Sequence, residues 1–461
     1  MAGRIARRVL SLLSGQRRLA LAAAAFLLAV MAAVAPARPA RAECIFPTAP
    51  TTYEDLKDRS LFLTTIELAA ANMLFPGDPY FGIPNLEFGP RTSRSTQPGR
   101  VPPTLMKAIS WIESSITQAA VDVPFGSIGP ALVSFDCGHG IAQVTSGMTV
   151  ALGEGGRASP EQALVATHFA YNIARGAAIL ADKWNQAPEL RPVAGTDTNG
   201  LPELLENWYF AVWSYNGFTG PGANRSNHPM DPVYGTWPRP QYSCGPSGDG
   251  KGHNRANYPY QELVFGCIAN PPIVDGRPLW QGIPVSLPDL SNPAWREPLK
   301  LANFVFPYAS MDIPTPQPFH LDPTPLPDPR LRERVLGSPQ LRVSRPEVKL
   351  GVAPGSGSTV ETITIENAGT GVLAWYAMAT EPWIVLRPYA GAAVGPNLPC
   401  APQAPCDRNG KLEVTVDASR APPGRRTAAI RIQALGTGQS FIVTVEVSQV
   451  IRLGVPGITR H

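Results

Sequence analysis

Residues 101–118 read VPPTLMKAISWIESSITQ, and after a loop residues 135–145 read FDCGHGIAQVT. Two prolines followed by Thr104 open a helix, because proline's fixed φ suits the first helical turn. Leu105, Ala108, Ile109, Ile112 and Ile116 then recur at helical spacing. Glu113 sits one residue past that apolar stripe. A carboxylate on the flank of a buried stripe is partly desolvated, which disfavours its charged form and raises its pKa. That is the condition a general acid needs near neutral pH.

Glu113-Ser114 is followed by Gly140-Ile141-Ala142-Gln143-Val144-Thr145, by Asn172-Ile173 with Gly176-Ala177 and Leu180, and by Ala211-Val212-Trp213-Ser214-Tyr215-Asn216-Gly217. These four elements, in this order between Tyr53 and Gly217, resemble the soluble lytic transglycosylase and goose-type lysozyme family. The departures are Ala142, where the family usually has Met, and Ser214, where it usually has Ala. The resemblance implies a mainly α lysozyme-like catalytic domain that cleaves the β-1,4 bond between N-acetylmuramic acid and N-acetylglucosamine in peptidoglycan glycan strands. Glu113 is then the catalytic acid and base, Ser114, Gln143, Tyr215 and Asn216 bind substrate, and neither cofactor nor metal is required. Two alternatives stand beside it: a hydrolase on the same fold, with Asp122 or Asp136 steering a water, and a non-catalytic glycan-binding cell-wall protein.

At 461 residues, with 51 prolines and 42 glycines, the chain holds more than one domain and long irregular connections. Residues 1–42 carry an Arg-rich start, the apolar run Leu19 to Ala35 and Ala40-Arg41-Ala42, which reads as an export signal, with a retained membrane anchor as the alternative. Paired arginines leave the general and the twin-arginine export routes both open. Seven of the 39 basic residues and none of the 35 acidic ones lie in this segment, leaving 32 against 35, a net charge of −3. A nucleic-acid partner, which needs a basic face to neutralise phosphates, therefore has little support. The expected location is therefore outside the cytoplasm, in the cell wall or periplasm, with no stable membrane span after cleavage.

Six cysteines in an exported chain predict disulfides. Sequence order does not choose among the fifteen pairings, but domain limits suggest Cys400 with Cys406 and Cys244 with Cys267, leaving Cys44 with Cys137 by elimination. A metal site on Cys137-Gly138-His139 is the rival, but a second ligand pair at a usual spacing is missing.

Thr51 or Thr52 is expected to cap a helix from Tyr53 to Leu74, and Ser159-Pro160-Glu161-Gln162 is a capping box for a helix to about Trp184. Asn172 on that helix is either a satisfied core amide or part of a groove, and Gly176 marks close approach of another backbone. A helix from Pro202 carries Tyr215 and stops at Asn216-Gly217. Residues 218–273 are loop-rich, with Trp237, Tyr242, Tyr258 and Tyr260 lining a sugar cleft or forming a stapled cover, and with one helix or strand at Tyr260 to Cys267. Residues 284–340 read as a semi-rigid Pro-rich linker. Every proposed catalytic element precedes it, so residues 43 to about 280 are expected to act alone.

Beyond Leu341 the period becomes two: residues 362–365, 412–416, 429–432 and 441–447 alternate as half-buried strands, predicting an all-β immunoglobulin-like sandwich of about seven strands over 341–451, with a tail at 452–461. Asn367 with Gly369, Trp375, Pro382-Trp383, Asp417-Ala418-Ser419 and Pro423-Gly424 are similar to the BACON type of bacterial immunoglobulin-like domain. That resemblance implies a carbohydrate or cell-wall ligand, with a spacer or docking role as the alternative. The fold class is thus multidomain: a mainly α catalytic domain over 43–283, then the sandwich.

Overall fold

The computed structural model describes residues 44–190, 193–218, 226–245, 253–304, 311–352, 358–401 and 406–449. The expected export segment and the 452–461 tail lie outside them. Among the described residues no helix is long and apolar enough to cross a membrane.

Among the described residues, six of the helices that precede the sandwich frame the first part: α1 (Ser60–Ala70), α2 (Pro103–Ser114), α3 (Pro160–Thr167), α4 (Phe169–Leu190), α5 (Tyr209–Tyr215) and α6 (Tyr260–Ala269). Phe62, Ile66, Leu105, Ile109, Phe169, Ile173, Val212 and Phe265 fill one core between them. Thr51–Tyr53 is a strand, β1, and not a helix start: these β-branched and aromatic residues pair antiparallel with β2 (Ile128–Pro130). The cap of α1 is Asp55, whose carboxylate accepts from the Leu61 and Phe62 amides at 3.0 and 3.2 Å. The capping box at Ser159 forms, but the expected single helix breaks at His168, which has extended backbone. Its Nδ1 accepts from the Ala170 amide at 3.2 Å, so the buried imidazole caps α4.

The second part is a two-sheet sandwich of nine strands: β3 (Leu341–Val343), β4 (Glu347–Val352), β5 (Glu361–Asn367), β6 (Val372–Ala379), β7 (Ile384–Arg387), β8 (Ala390–Val394), β9 (Gly410–Val416), β10 (Arg425–Ala434) and β11 (Ser440–Gln449). One sheet runs β4-β11-β10-β6-β8 and the other β7-β9-β5-β3, and only the β4–β11 pairing is parallel. Trp375, Ile363, Leu412, Ile430 and Val445 interdigitate between the sheets.

β6 and β8 are buried on both faces, which is why neither alternates in sequence. Inward residues such as Trp375 and Ala393 join the sandwich core, while Tyr376, Ala374, Ala390 and Ala392 join the helical core. The Tyr376 hydroxyl donates to the Ala158 carbonyl at 3.0 Å, and the Thr51 hydroxyl oxygen accepts from the Ala392 amide at 3.2 Å. Residues 44–449 thus pack as one unit.

The Pro-rich stretch is not a free spacer. Asp322 accepts from the backbone amide of Thr104 at 2.6 Å and from its hydroxyl at 3.1 Å, capping α2 from 218 residues away. The fully buried Glu206 accepts from the amides of His320 at 2.8 Å and Ser286 at 3.1 Å, and Trp295, Met311 and Ile313 enter the helical core. Proline richness sets an extended backbone, and an extended backbone leaves carbonyls and side chains available for docking.

Candidate active site

Glu113 lies in the last turn of α2, where Ser115 and Ile116 follow in left-handed conformation at φ 58° and 55°. Their amides return to the carbonyls of Trp111 at 2.8 Å and Ser110 at 3.1 Å, closing the helix without glycine. Ile116, being β-branched, is strained at positive φ, and Cys137 (φ 68°) and Gln143 (φ 44°) are unbranched residues also held at positive φ. Such outliers persist only where surrounding structure enforces them.

Part of that enforcement comes from Glu54, a buried carboxylate paired with Arg59. It accepts from the amides of Gln118 at 2.9 Å and Ala119 at 2.8 Å, and burial pushes its pKa up to about 7. The sequence carries no local sign of this role.

The half-buried Glu113 accepts a 2.5 Å hydrogen bond from the hydroxyl of Tyr260, the first residue of α6, which packs against α2. Burial pushes the Glu113 carboxyl up to about 7, with the Tyr260 hydrogen bond and the charge of Arg255 acting downward and Asp136 acting upward. Burial likewise holds the Tyr260 and Tyr215 phenols well above their usual range, so both hydroxyls stay protonated as donors.

The 140–143 turn is held from three sides. Ser114 Oγ donates to the Ile141 carbonyl at 2.8 Å, Tyr215 Oη donates to the Ala142 carbonyl at 2.8 Å, and Asn172 Oδ1 accepts from the Ala142 amide at 2.9 Å. Asn172 Nδ2 also donates to the His139 carbonyl at 2.7 Å, so this amide is a satisfied core group. Gly140 sits at φ 64°, and a Cβ there would lie 2.4 Å from Gln118 Oε1. A Cβ on Gly176 would lie 2.4 Å from the Ala142 Cβ and 3.2 Å from the Tyr215 hydroxyl, so the α4 backbone is the floor under the turn. Ala142, small where the resemblance expects Met, is what touches that floor.

Of the sequence-expected residues, Glu113, Ser114, Gln143 and Tyr215 converge here. Ser114 and Tyr215 reach the turn and not the Glu113 carboxylate, so they shape the site through the backbone. Gln143 Nε2 donates to the Gly140 carbonyl at 2.8 Å. Asn216 is exposed at the end of α5, and Asp122 is exposed on its loop. Asp136, also exposed, accepts from the Ser134 hydroxyl at 2.5 Å and is the carboxylate whose charge reaches Glu113.

The cysteines pair as Cys44–Cys137, Cys244–Cys267 and Cys400–Cys406, the pairing expected from sequence. Cys137 is therefore no thiolate ligand, and among the described residues no cluster of His, Cys, Asp and Glu is placed to hold a metal ion.

No family model matches the chain, and no curated protein matches it. Among solved structures it is similar to a PapD-like domain of human CEP192 (11% identity, TM-score 0.18, 24% of this chain and 84% of that one). It is also similar to WR4, a C. elegans MSP family member (14% identity, TM-score 0.16, 24% and 97%). A third likeness is to the CsuC–CsuE chaperone–tip adhesion complex of Acinetobacter baumannii (6% identity, TM-score 0.18, 24% and 57%).

Proposed function

We propose that the chain is an exported peptidoglycan lytic transglycosylase, with a lysozyme-like helical part and a BACON-like sandwich docked on it. The observation that carries this reading is the Glu113 carboxyl, raised to about 7 by burial and oriented by Tyr260. A carboxyl poised there donates a proton and takes one back at neutral pH.

In the first step Glu113 protonates the oxygen leaving the muramyl C1. The substrate's acetamido oxygen stabilises the positive charge at that carbon, so no second protein carboxylate is required. In the second step the ionised Glu113 takes the proton of the muramyl C6 hydroxyl, and its oxygen bonds to C1, closing a 1,6-anhydro ring. Ser114, Tyr215 and Asn172 support the turn that carries Gln143, a positioning arrangement, and Asn216 follows Tyr215 at the exposed end of α5.

Asp136 favours a second reading. A solvated carboxylate whose charge reaches the acid is suited to steer a water onto C1, giving a hydrolase. Digestion of purified peptidoglycan with mass analysis of the fragments decides: an anhydro product one water lighter supports the transglycosylase, a reducing-end product supports the hydrolase, and intact glycan removes both.

A further inference from the structure

We propose that Arg255 is a positioning residue for Glu113, seating the end of α2 and supplying the positive charge against which the carboxyl releases its proton; the role rests on the glycan-cleaving reading above. Arg255 Nη2 donates to the Ile112 carbonyl, 143 residues away, at 2.7 Å. In a continuing helix that carbonyl would take the Ile116 amide. The left-handed stop turns the Ile116 amide to Ser110 at 3.1 Å and the Ser115 amide to Trp111 at 2.8 Å. The Ile112 carbonyl is thereby left at the helix end, and the guanidinium takes it.

The same contact answers an electrostatic problem. The C-terminus of a helix carries roughly half a negative charge, and α2 has no basic residue of its own in its last turn. Ionising Glu113 therefore adds negative charge to a negative helix end in a desolvated place, and the cation that offsets it comes from elsewhere in the chain. The charge of Arg255 acts on Glu113 and also on Tyr260 and Tyr242. Four groups among the described residues face Glu113: Tyr260 of α6, Tyr215 of α5, Asp136 on the loop before the 140–143 turn, and Arg255. Of these four Arg255 alone is a cation, and Asp136 opposes it. α1 meets α2 through the Glu67–Lys107 pair, earlier in the helix.

One short segment carries both groups that favour the ionised acid. Asn254 Oδ1 accepts from the Ala256 amide at 3.0 Å, the Tyr258 amide donates to the Arg255 carbonyl at 3.2 Å, and Tyr258 is buried against Tyr242 with ring centroids 5.3 Å apart. Tyr260 follows with its hydroxyl on Glu113. In the first step the Glu113 O–H bond breaks and its proton passes to the leaving oxygen; the carboxylate left behind is held by the Tyr260 hydroxyl and the Arg255 charge until it takes the next proton. Arg255 thus acts through Glu113 and touches no reacting atom.

Arg255→Gln keeps a donor for the Ile112 carbonyl and removes the charge, while Arg255→Lys keeps the charge. On purified peptidoglycan, Arg255→Gln is expected to move the alkaline limb of the pH–rate profile to higher pH, because the ionised acid loses its cation. Turnover is expected to fall about twofold to fivefold, the scale of one charge at a helix end. Arg255→Lys is expected to bring the limb back toward its wild-type place. A second measurement needs no substrate: in denaturant unfolding of the full chain, Arg255→Gln is expected to cost more stability at pH 8, where Glu113 is ionised, than at pH 5, where it is protonated. That difference is expected to vanish in the Glu113→Gln background, since groups common to both backgrounds cancel. An equal loss at both pH values, or an unmoved limb in folded Arg255→Gln, reduces Arg255 to a helix cap and overturns the proposal while glycan cleavage stands. Peptidoglycan left intact by the wild-type chain overturns both the proposal and the reading beneath it.

Discussion

Tyr260 and Glu113 stand 147 residues apart in the chain and share one 2.5 Å hydrogen bond, with the phenol donating to the carboxylate. That bond favours the ionised form and so opposes the upward push of burial on Glu113. Tyr260→Phe is therefore expected to move the alkaline limb of the pH–rate profile to higher pH. It should also lower turnover about tenfold, the scale of one hydrogen bond to a charged group. A profile unmoved by the substitution would separate Tyr260 from the acid.

Glu113→Gln removes both proton transfers. Turnover should fall by about 10²- to 10⁴-fold or more, measured on purified peptidoglycan. Retention of a tenth of the wild-type rate in a stable variant would shift attention to Asp136.

Stability should change in the opposite sense. A folded-state pKa raised from 4.5 to about 7 means that ionising Glu113 costs stability, and the cost grows as pH rises from 4.5 through 7. Glu113→Gln should thus gain on wild type between pH 4.5 and 8, by about 2–3 kcal/mol in denaturant unfolding. Glu54 and Asp55, also raised by burial, are common to both proteins and cancel in the comparison. A stability difference independent of pH would contradict the raised carboxyl.

Gly176→Ala drives a methyl against Ala142 and toward the Tyr215 hydroxyl. A loss of about 1–3 kcal/mol is expected from overpacking, with turnover reduced because the turn carrying Gln143 must move. Adding Ala142→Gly should recover part of the stability, which a double-mutant cycle reads directly.

Much of the site was legible locally. The proline-opened apolar helix located Glu113, and the Gly140–Thr145 and Ala211–Gly217 segments located the turn and its tyrosine, because each is a short stretch with its own spacing. Strands β5, β9, β10 and β11 were legible because one face of each is solvated and the other buried. β6 and β8 lack that alternation, since the helical part covers the face that would otherwise be polar. Tyr260, Glu54 and Asp322 were invisible as partners of the α2 region. Each meets its target across a long sequence separation, and no periodicity records such a meeting.

The same packing revises the expectation that residues 43 to about 280 act alone. A chain ending at 283 loses the Asp322 cap of α2 and the Trp295, Ile313, Tyr376 and Ala390 contributions to the helical core. Such a fragment is expected to lack a cooperative thermal transition, and a sharp transition with activity would show the helical part to be self-sufficient. In the full chain, Asp322→Ala should cost about 1 kcal/mol, the value of a helix cap.

Strand β1 occupies residues 51–53, yet Thr51 is bonded to Ala392, 341 positions later. A chain made from its N-terminus therefore completes its first part only after most of its length exists. Until β8 emerges, the apolar surface under β6 and β8 has no cover, and the loop entropy of joining the two ends is still to be overcome. Synthesis of this protein thus passes through a long interval in which the part bearing Glu113 is present while the strands that complete its core, β6 and β8, are not yet made.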